Sequence, residues 1–290
     1  MDTGYANISG RADIGSDTAV TGLAGIAHER EPRTDPDATL IGPPVEYDRT
    51  DLSVGVQHTF NRWRVSAIAE RHEYDYDSAQ SFRDYDENAL TGRIEAAISP
   101  RLGIFGQVTG DHRDYSDPLS TGLSSDGRTY LVGADIHLTD LMQGQIAIGQ
   151  FTRDYDNGVN EEGLAADANL EWYLTRLTTL SINAHRNTEA TIGATTVAPY
   201  IETRFGGRID HELLRNVILT AGVESGKREY QDGIDRTDDY TFADVGADYL
   251  LNRRVALRAR LRHAEVNSSG ADAYRDFEVN SLTLGIAFRL

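Results

Sequence analysis

The sequence is poor in the residues that carry most recognisable chemistry. Its 290 residues include no Cys, 7 Pro and 2 Met. Without Cys, the chain can form neither disulfides nor thiolate metal sites, and it has no cysteine nucleophile. An exported protein that must avoid oxidative mispairing would have this composition, although Cys-free chains occur in every compartment. No low-complexity tract divides the chain, so we predict one domain over residues 1–290.

Basic residues are in the minority. Lys and Arg number 28 against 46 Asp and Glu, which gives a formal net charge of −18. Phosphate binding needs a basic face, so this balance argues against nucleic acid as a partner.

Long apolar runs are also absent. The mean hydropathy is −0.45, and no uncharged apolar run approaches the ~18 residues of a membrane helix. The first residues, MDTGYANISG, lack the basic and apolar regions of a signal peptide. The chain is therefore either cytosolic or a mature or truncated piece of an exported protein. A membrane protein stays possible, because a transmembrane strand needs only every second residue apolar.

Enzyme motifs are missing too. The chain has no Gly-x-Ser-x-Gly, His-Glu-x-x-His or P-loop pattern, and its histidines are scattered about one per strand. We therefore predict no enzyme, no catalytic residues, no metal site and no cofactor, with catalysis as a minor alternative. Acidic loop residues could bind Ca²⁺, but they lack EF-hand spacing; they are Asp75, Asp77, Asp235, Asp238 and Asp239.

Period-two alternation is what the chain has in abundance. In RVALRARLRH (254–263), apolar residues alternate with Arg258, Arg260 and Arg262. The same pattern recurs in ALTGRIEAAIS, GLAADANLEWYL and YIETRFGGRID. It predicts fifteen strands, at about 4–13, 19–29, 49–60, 63–75, 87–99, 103–115, 128–138, 144–155, 163–174, 178–188, 198–212, 216–230, 239–250, 254–266 and 277–290.

The strand lengths and their connections favour one architecture. The runs exceed the ~5–6 residues of a typical soluble strand and match the ~9–11 that span a bilayer. Tight turns recur at intervals of 36 to 40 residues, and the connections between them are longer and polar, the longest being 30–47. The turns are centred on Asn61, Arg101, Asp140, Arg176, Arg215 and Arg253. We predict an all-β, antiparallel, up-and-down transmembrane β-barrel with short periplasmic turns and longer extracellular loops, because a Greek-key sandwich would not give so regular a meander. Loop 30–47 is a candidate plug.

Six clusters of Arg, acid and aromatic residues fall at the long-loop ends of these strands, for example RHEYDYD, FRDYDEN and FTRDYDN. Amphipathic rings are enriched at membrane interfaces, so we interpret the six rings as an outer aromatic girdle rather than a ligand motif: Tyr74, Tyr85, Tyr115, Tyr155, Tyr230 and Phe277. Four further rings are assigned to an inner girdle: Trp63, Trp172, Tyr249 and Phe288.

The final residues, SLTLGIAFRL, fit the pattern that barrel-assembly machinery reads on a last strand, through Thr283, Gly285, Phe288 and Leu290. The usual terminal residue is Phe, and here it is Leu. With this ending, the sequence resembles the proteobacterial outer-membrane porin family known as the beta-barrel porin 2 group. The resemblance covers essentially the whole chain, with DHELLRNVILTAGV (210–223) and GIDRTDDYTFADVGADYLLNRRVAL (233–257) as its most specific parts, beside DIHLTDLMQGQIAIG (135–149) and LEWYLTRLTTL (170–180).

The resemblance implies a wide barrel with strands in the high teens, in the bacterial outer membrane. Some members are proposed to pass exopolysaccharide. Expected partners are outer-membrane lipid and lipopolysaccharide, barrel-assembly machinery and periplasmic polysaccharide-export proteins. Such barrels have even strand numbers, so fifteen strands suggest that a signal peptide and one or three N-terminal strands are missing.

A barrel of this size encloses a water-filled lumen. Thirteen charged residues are predicted to line it: Arg93, Glu95, Asp167, Glu171, Glu202, Arg204, Arg208, Glu224, Asp244, Asp248, Arg258, Arg260 and Arg262. They form either a solvated wall whose charges offset one another, or an arginine ladder that sets a transverse field or binds acidic sugars. The predicted function is a wide channel for exopolysaccharide export or diffusion of hydrophilic solutes. The alternatives are a structural or adhesion barrel with a plugged lumen, and a soluble secreted β-protein.

Overall fold

The protein is built almost entirely from β-strands. The structure, a computed structural model, describes residues 3–31, 43–139, 141–192, 197–273 and 276–288. Its strands are β1 (Gly4–Ile14), β2 (Thr18–Arg30), β3 (Glu46–Phe60), β4 (Trp63–Tyr76), β5 (Tyr85–Ser99), β6 (Leu102–Tyr115), β7 (Ser125–Thr139), β8 (Met142–Tyr155), β9 (Asn160–Thr175), β10 (Thr178–Ile192), β11 (Val197–Leu214), β12 (Val217–Tyr230), β13 (Thr237–Leu250), β14 (Val255–Ser269) and β15 (Phe277–Phe288). Two short 3-10 turns, Ser81–Arg83 and Thr121–Leu123, lie in loops.

The fifteen strands form one sheet in chain order, from β1 to β15. Neighbouring strands pair antiparallel, as in β1–β2, β2–β3, β3–β4, β4–β5 and β5–β6, which is the predicted up-and-down meander. The fifteen predicted strands are confirmed, with ends moved by no more than four residues. Several strands continue past the apolar segment into the Arg, Tyr and acid clusters, because the extended backbone and its ladder do not stop where apolar side chains do. In the part of the chain that is described, no helix is long and apolar enough to cross a membrane.

Short and longer connections alternate along the chain. Two-residue turns join β3 to β4, β5 to β6, β9 to β10 and β11 to β12, whereas 77–84 and 116–124 are longer loops. Asn61 begins the first of these turns with φ of 57°, a conformation that Asn tolerates better than most residues. The predicted turn centre Asp140 and most of the proposed plug, 32–42, lie outside the described residues.

Two compact units share these strands. Unit 1 comprises Met1–Ala134, Ile148–Ala165 and Thr188–Tyr200, and unit 2 comprises Asp135–Ala147, Ala166–Asn187 and Ile201–Leu290. Unit 1 contains a small buried cluster of Tyr115, Leu123 and Tyr155. In unit 2, Tyr230, Tyr240 and Val266 are buried.

The loop between β4 and β5 is fixed by polar contacts. Arg83 is buried, forms an ion pair with Glu31 and lies 4.4 Å from the centre of the Tyr76 ring. The Asp84 carboxylate accepts a hydrogen bond from the backbone N–H of Tyr76 at 2.7 Å. Burial raises the pKa of the Asp84 carboxyl above its ordinary value, against the opposing effect of that hydrogen bond.

Substitution Asp84→Asn should remove a pH dependence from this loop. Because the folded pKa is raised, the folded chain binds the proton more tightly than the unfolded chain, so stability increases as the pH falls from above the raised pKa toward the ordinary one. The variant keeps an acceptor for Tyr76 and has no charge to bury. Proteolysis of the loop, followed at pH 4 to 7, should be slower at low pH in the wild type. In the variant, the cleavage rate should lose the part of this pH dependence that the Asp84 carboxyl causes. Equal pH profiles for the two proteins would contradict the assignment.

Candidate functional site

Each unit has one polar and one apolar face. In unit 2, the register of β13 and β14 pairs Asp248 with Arg258 and Asp244 with Arg262. One residue along, Tyr249 pairs with Leu257. Since successive side chains of a strand point to opposite sides of a sheet, these sets occupy opposite faces, which we call the polar face and the apolar face.

Unit 1 follows the same rule. Glu87 pairs with Arg113 and Arg93 with Gln107 on its polar face, whereas Ile94 pairs with Gly106 on its apolar face. Large apolar side chains are exposed on the apolar faces of both units, among them Ile26, Val54, Leu90, Ile94, Val108, Val245, Leu261 and Ile286. An apolar surface of this extent marks a face that another apolar phase covers.

The thirteen predicted lining residues lie on polar faces. Arg93 and Glu95 belong to unit 1. The remaining eleven belong to unit 2: Asp167, Glu171, Glu202, Arg204, Arg208, Glu224, Asp244, Asp248, Arg258, Arg260 and Arg262. That these faces line a lumen stays a prediction at this point.

Buried and partly buried ion pairs connect the polar face of unit 1. Arg113 donates to Glu87 at 3.0 Å and to Glu189 at 3.2 Å. Arg153 donates to Asp111 at 2.5 Å and to Ser125 at 3.0 Å. A buried charge is costly unless it is paired and hydrogen-bonded, so these arginines connect strands that are distant in the sequence.

A comparable group lies in unit 2. Arg228 donates to Glu202 at 3.1 Å and lies 4.5 Å from the centre of the Tyr240 ring, and the Tyr240 hydroxyl donates to the same carboxylate at 3.1 Å. A second ion pair joins Arg236 to Asp238, and both of these side chains are buried.

The predicted arginine ladder is not a uniform row. Arg258 and Arg260 both converge on Asp248, at 3.6 Å and 2.7 Å. A Cβ atom at Gly246 would lie 2.4 Å from Cδ of Arg260, so the glycine leaves room for that side chain to lie flat toward Asp248. Arg262 departs from the pair and lies 5.2 Å from the centre of the Phe242 ring.

The six rings assigned to an outer girdle lie on polar faces. In unit 1, Tyr74 and Tyr85 stack at 4.5 Å and Tyr85 and Tyr115 at 5.0 Å, in register with charged residues of the same face. Tyr155 is buried and contacts Thr188.

In unit 2, Tyr230 and Phe277 show the same placement. The Tyr230 hydroxyl donates to Asp238, and Phe277 is in register with Val266 on the face of Arg262. Alternation agrees for the five tyrosines, each of which is an even number of residues from a charged side chain of the polar face on its own strand. That the six rings form an outer girdle stays a prediction.

A loop packs on these tyrosines. Leu123, in the 3-10 turn Thr121–Leu123, is 1% exposed and joins Tyr115 and Tyr155 in one cluster, against which Phe82 and Val159 also pack. The tyrosine row therefore fixes loop residues over the polar face of unit 1.

The four rings assigned to an inner girdle are exposed and lie in register with apolar residues of neighbouring strands. Trp63 is next to Phe60, Trp172 to Leu180, Tyr249 to Leu257 and Phe288 to Val255. Their contact with a lipid interface stays a prediction. In β15, Thr283 and Gly285 are on the polar face and Phe288 is on the apolar face. Leu290, the last residue of the assembly pattern, lies outside the described residues.

The acidic loops show no cation site. Asp238 is held by Arg236, Tyr230 and Ser268. Within the described ranges, no group of three or more His, Asp or Glu side chains is placed to hold a metal ion.

Comparison with solved structures shows the fold. The chain is similar to the FrpB iron transporter of Neisseria meningitidis (F5-1 variant; TM-score 0.61, 8% identity, 99% of this chain and 58% of that one). It is similar to FpvA of P. aeruginosa bound to pyoverdine (TM-score 0.56, 10% identity, 99% and 52%) and to the copper transporter OprC (TM-score 0.55, 14% identity, 99% and 57%). The chain thus spans little more than half the length of these structures. No curated protein sequence matches it.

Antiparallel strands long enough to cross a bilayer, with one apolar exposed face and one charged face, define an outer-membrane β-barrel protein. The chain belongs to the family described as "Putative beta-barrel porin 2", whose model matches residues 2–290. The predicted family, fold class and location in the bacterial outer membrane are therefore confirmed. The family and the similar structures are porins and transporters, not enzymes.

Adjacent residues of β3 test the two faces. Val54 is exposed on the apolar face, and Ser53 is in register with Glu70 on the polar face. Val54→Lys should slow or prevent insertion, because a lysine facing lipid near the bilayer centre costs about 2–4 kcal/mol. Ser53→Lys, one residue away, should insert normally since Glu70 can pair with it. Heat-modifiable folding into phospholipid vesicles measures both, and equal insertion of the two variants would refute the face assignment.

Substitution Leu123→Ala should release the loop that packs on the tyrosines. Truncating a buried leucine costs about 2–5 kcal/mol of stability. Here the loss should destabilise the packing of the loop and leave the sheet intact. Limited proteolysis should cut residues 116–124 faster while the heat-modifiable fold is kept. Leu119→Ala is the control, because Leu119 is in the same loop and 77% exposed. Equal cleavage of the two variants would show that Leu123 does not hold the loop.

Proposed function

We propose that the protein is an outer-membrane channel whose polar face lines a passage for hydrophilic solutes. The apolar face meets lipid, so the polar face is the one available to water. The proposal is carried by the composition of that face, where acidic residues and arginines occur together on successive strands.

Pairing makes such a face compatible with passage of solutes. Arg258 and Arg260 share Asp248, and Arg208 is held by Asp210 at 2.9 Å. Charges that neutralise one another hold a solute less strongly than a row of one sign would, and conduction requires binding weak enough for release. This supports passive diffusion of hydrophilic solutes, with passage of an exopolysaccharide as a special case of the same channel.

A second candidate function is a structural or adhesion barrel with a plugged lumen. The packing of Leu123 on Tyr115 and Tyr155 favours it, because loop residues that fold over the polar face reduce the space left for a solute. Conductance distinguishes the two functions.

Planar-bilayer recordings of the full chain test the channel. Replacing Arg258, Arg260 and Arg262 by Ser removes three positive charges and leaves Asp248 without its partners, so the reversal potential in a KCl gradient should shift toward cation selectivity. Replacing Arg101, Arg176 and Arg215 by Ser is the matched control, since it removes the same charge from short turns. Conductance with equal selectivity in both variants would show that β14 does not line the passage. No conductance from a heat-modifiable, folded protein would favour the plugged barrel.

A further inference from the structure

A groove crosses the apolar face of unit 1. Its volume is about 870 Å³, within the range of about 300–1,000 Å³ for small-molecule sites. It extends from β4 to β8, and its walls include exposed apolar side chains, namely Val65, Ile94, Val108, Tyr130, Val132 and Ile148. Since the apolar face meets lipid, the part of any occupant that enters this groove must itself be apolar.

Two glycines open the groove. Gly92 of β5 pairs with Val108, and Gly106 of β6 pairs with Ile94, all on the apolar face. A Cβ atom at either glycine would have no heavy atom within 4 Å. Neither glycine is therefore required by a close approach of the backbone, although glycine weakens a strand. Their effect is to leave a strip beside Ile94 and Val108 that no side chain fills.

A basic side chain lies at one end of this strip. On β7, Arg128 precedes Tyr130 by two residues, so the two side chains share a face. Asp126, the next residue of that face, is 3.0 Å from His112 of β6, and His112 shares its face with Val108. Arg128 therefore lies where the apolar residues of this face give way to charged ones.

Arg128 has no partner among the described residues. It is exposed and forms neither a hydrogen bond nor an ion pair there. Asp126, the acid next to it on this face, is bonded to His112 instead. Arg71, on the same face of β4, is held by Asp86 at 2.9 Å. Arg128 thus keeps its donors for an external anion, and a guanidinium matches phosphate with two parallel hydrogen bonds.

The groove and the arginine together define an amphiphile. A hydrocarbon chain fits the strip at Gly92 and Gly106, and a phosphate on Arg128 would lie at the head-group level, where an amphipathic ring such as Tyr130 is also favoured. Arg128 is near the start of β7, which follows the longer loop 116–124. We propose that this site binds a phosphorylated lipid of the leaflet on the long-loop side, with one acyl chain in the groove and its phosphate on Arg128. A channel is not required for this binding, because the groove lies on the opposite face of the sheet.

Native mass spectrometry of the full chain in lauryldimethylamine oxide micelles counts both bound lipids and copies of the chain. The probes are dipalmitoyl phosphatidate and dipalmitoylglycerol, which share their acyl chains and differ by one phosphate. We expect one phosphatidate per chain, bound at least about tenfold more tightly than the diacylglycerol, equivalent to about 1.4 kcal/mol. Arg128→Gln should remove that difference and keep the heat-modifiable fold. Gly92→Leu combined with Gly106→Leu should weaken binding of both lipids, because the leucines occupy the strip.

Each variant has a matched control in unit 1. Arg71→Gln removes the same charge from the same face, but from an arginine that is already paired. Gly10→Leu adds a leucine at another open glycine of the apolar face, in register with Gly22, which pairs with Val54. No bound lipid, equal affinity of the wild type for the two probes, or an equal loss in a variant and its control would overturn the proposal. A lipid-free dimer that the double glycine variant abolishes would also overturn it, since a second copy would then occupy the groove.

Discussion

Backbone hydrogen bonding is the constraint on which this structure depends. In the hydrocarbon of a bilayer no water is available to an unpaired N–H or C=O group. Each strand must therefore hydrogen-bond to its neighbour along its full length. A meander in chain order meets this requirement with short turns. It also fixes the side chains, since every second residue points to the same face wherever the register is uninterrupted, and among the pairings described it shifts only near turns, at Ala97/Ser99 and Thr178/Thr179. The apolar and polar faces therefore follow from one arrangement of the backbone.

Charged side chains lie close together on neighbouring strands of the polar face. There, like charges repel one another, and buried charges lose their hydration. The structure solves this by convergence, with one acid serving two arginines or one arginine serving two acids, as at Asp248 and Arg113. Tyrosines complete the groups with a hydroxyl and an aromatic surface, as Tyr240 does beside Glu202 and Arg228.

Much of this could be predicted from the sequence, because period two is a local property. Strand positions and the face of the charged residues followed from alternation alone. Composition suggests an aromatic girdle for the tyrosines, whereas alternation places them on the polar face. Tyr85 and Arg93 are eight residues apart in one unbroken strand, and Tyr230 and Glu224 are six apart, so each pair had to share a face. In contrast, the pairing of Arg113 with Glu189 spans 76 residues, and the convergence of Arg260 on Asp248 depends on the space above Gly246. Such partnerships depend on register between strands and on rotamers, which alternation does not determine.

Gly246 gives an example of how an uncharged residue can govern an electric field. The absent side chain lets the Arg260 guanidinium lie along the wall, where it forms an ion pair with Asp248, the carboxylate that it shares with Arg258. A single methyl group there would occupy the same space and turn the guanidinium outward from the wall, leaving two formal charges separated where they are now joined. In a family of barrels with conserved charge content, the distribution of glycines along the strands would then set how much of that charge a passing solute encounters.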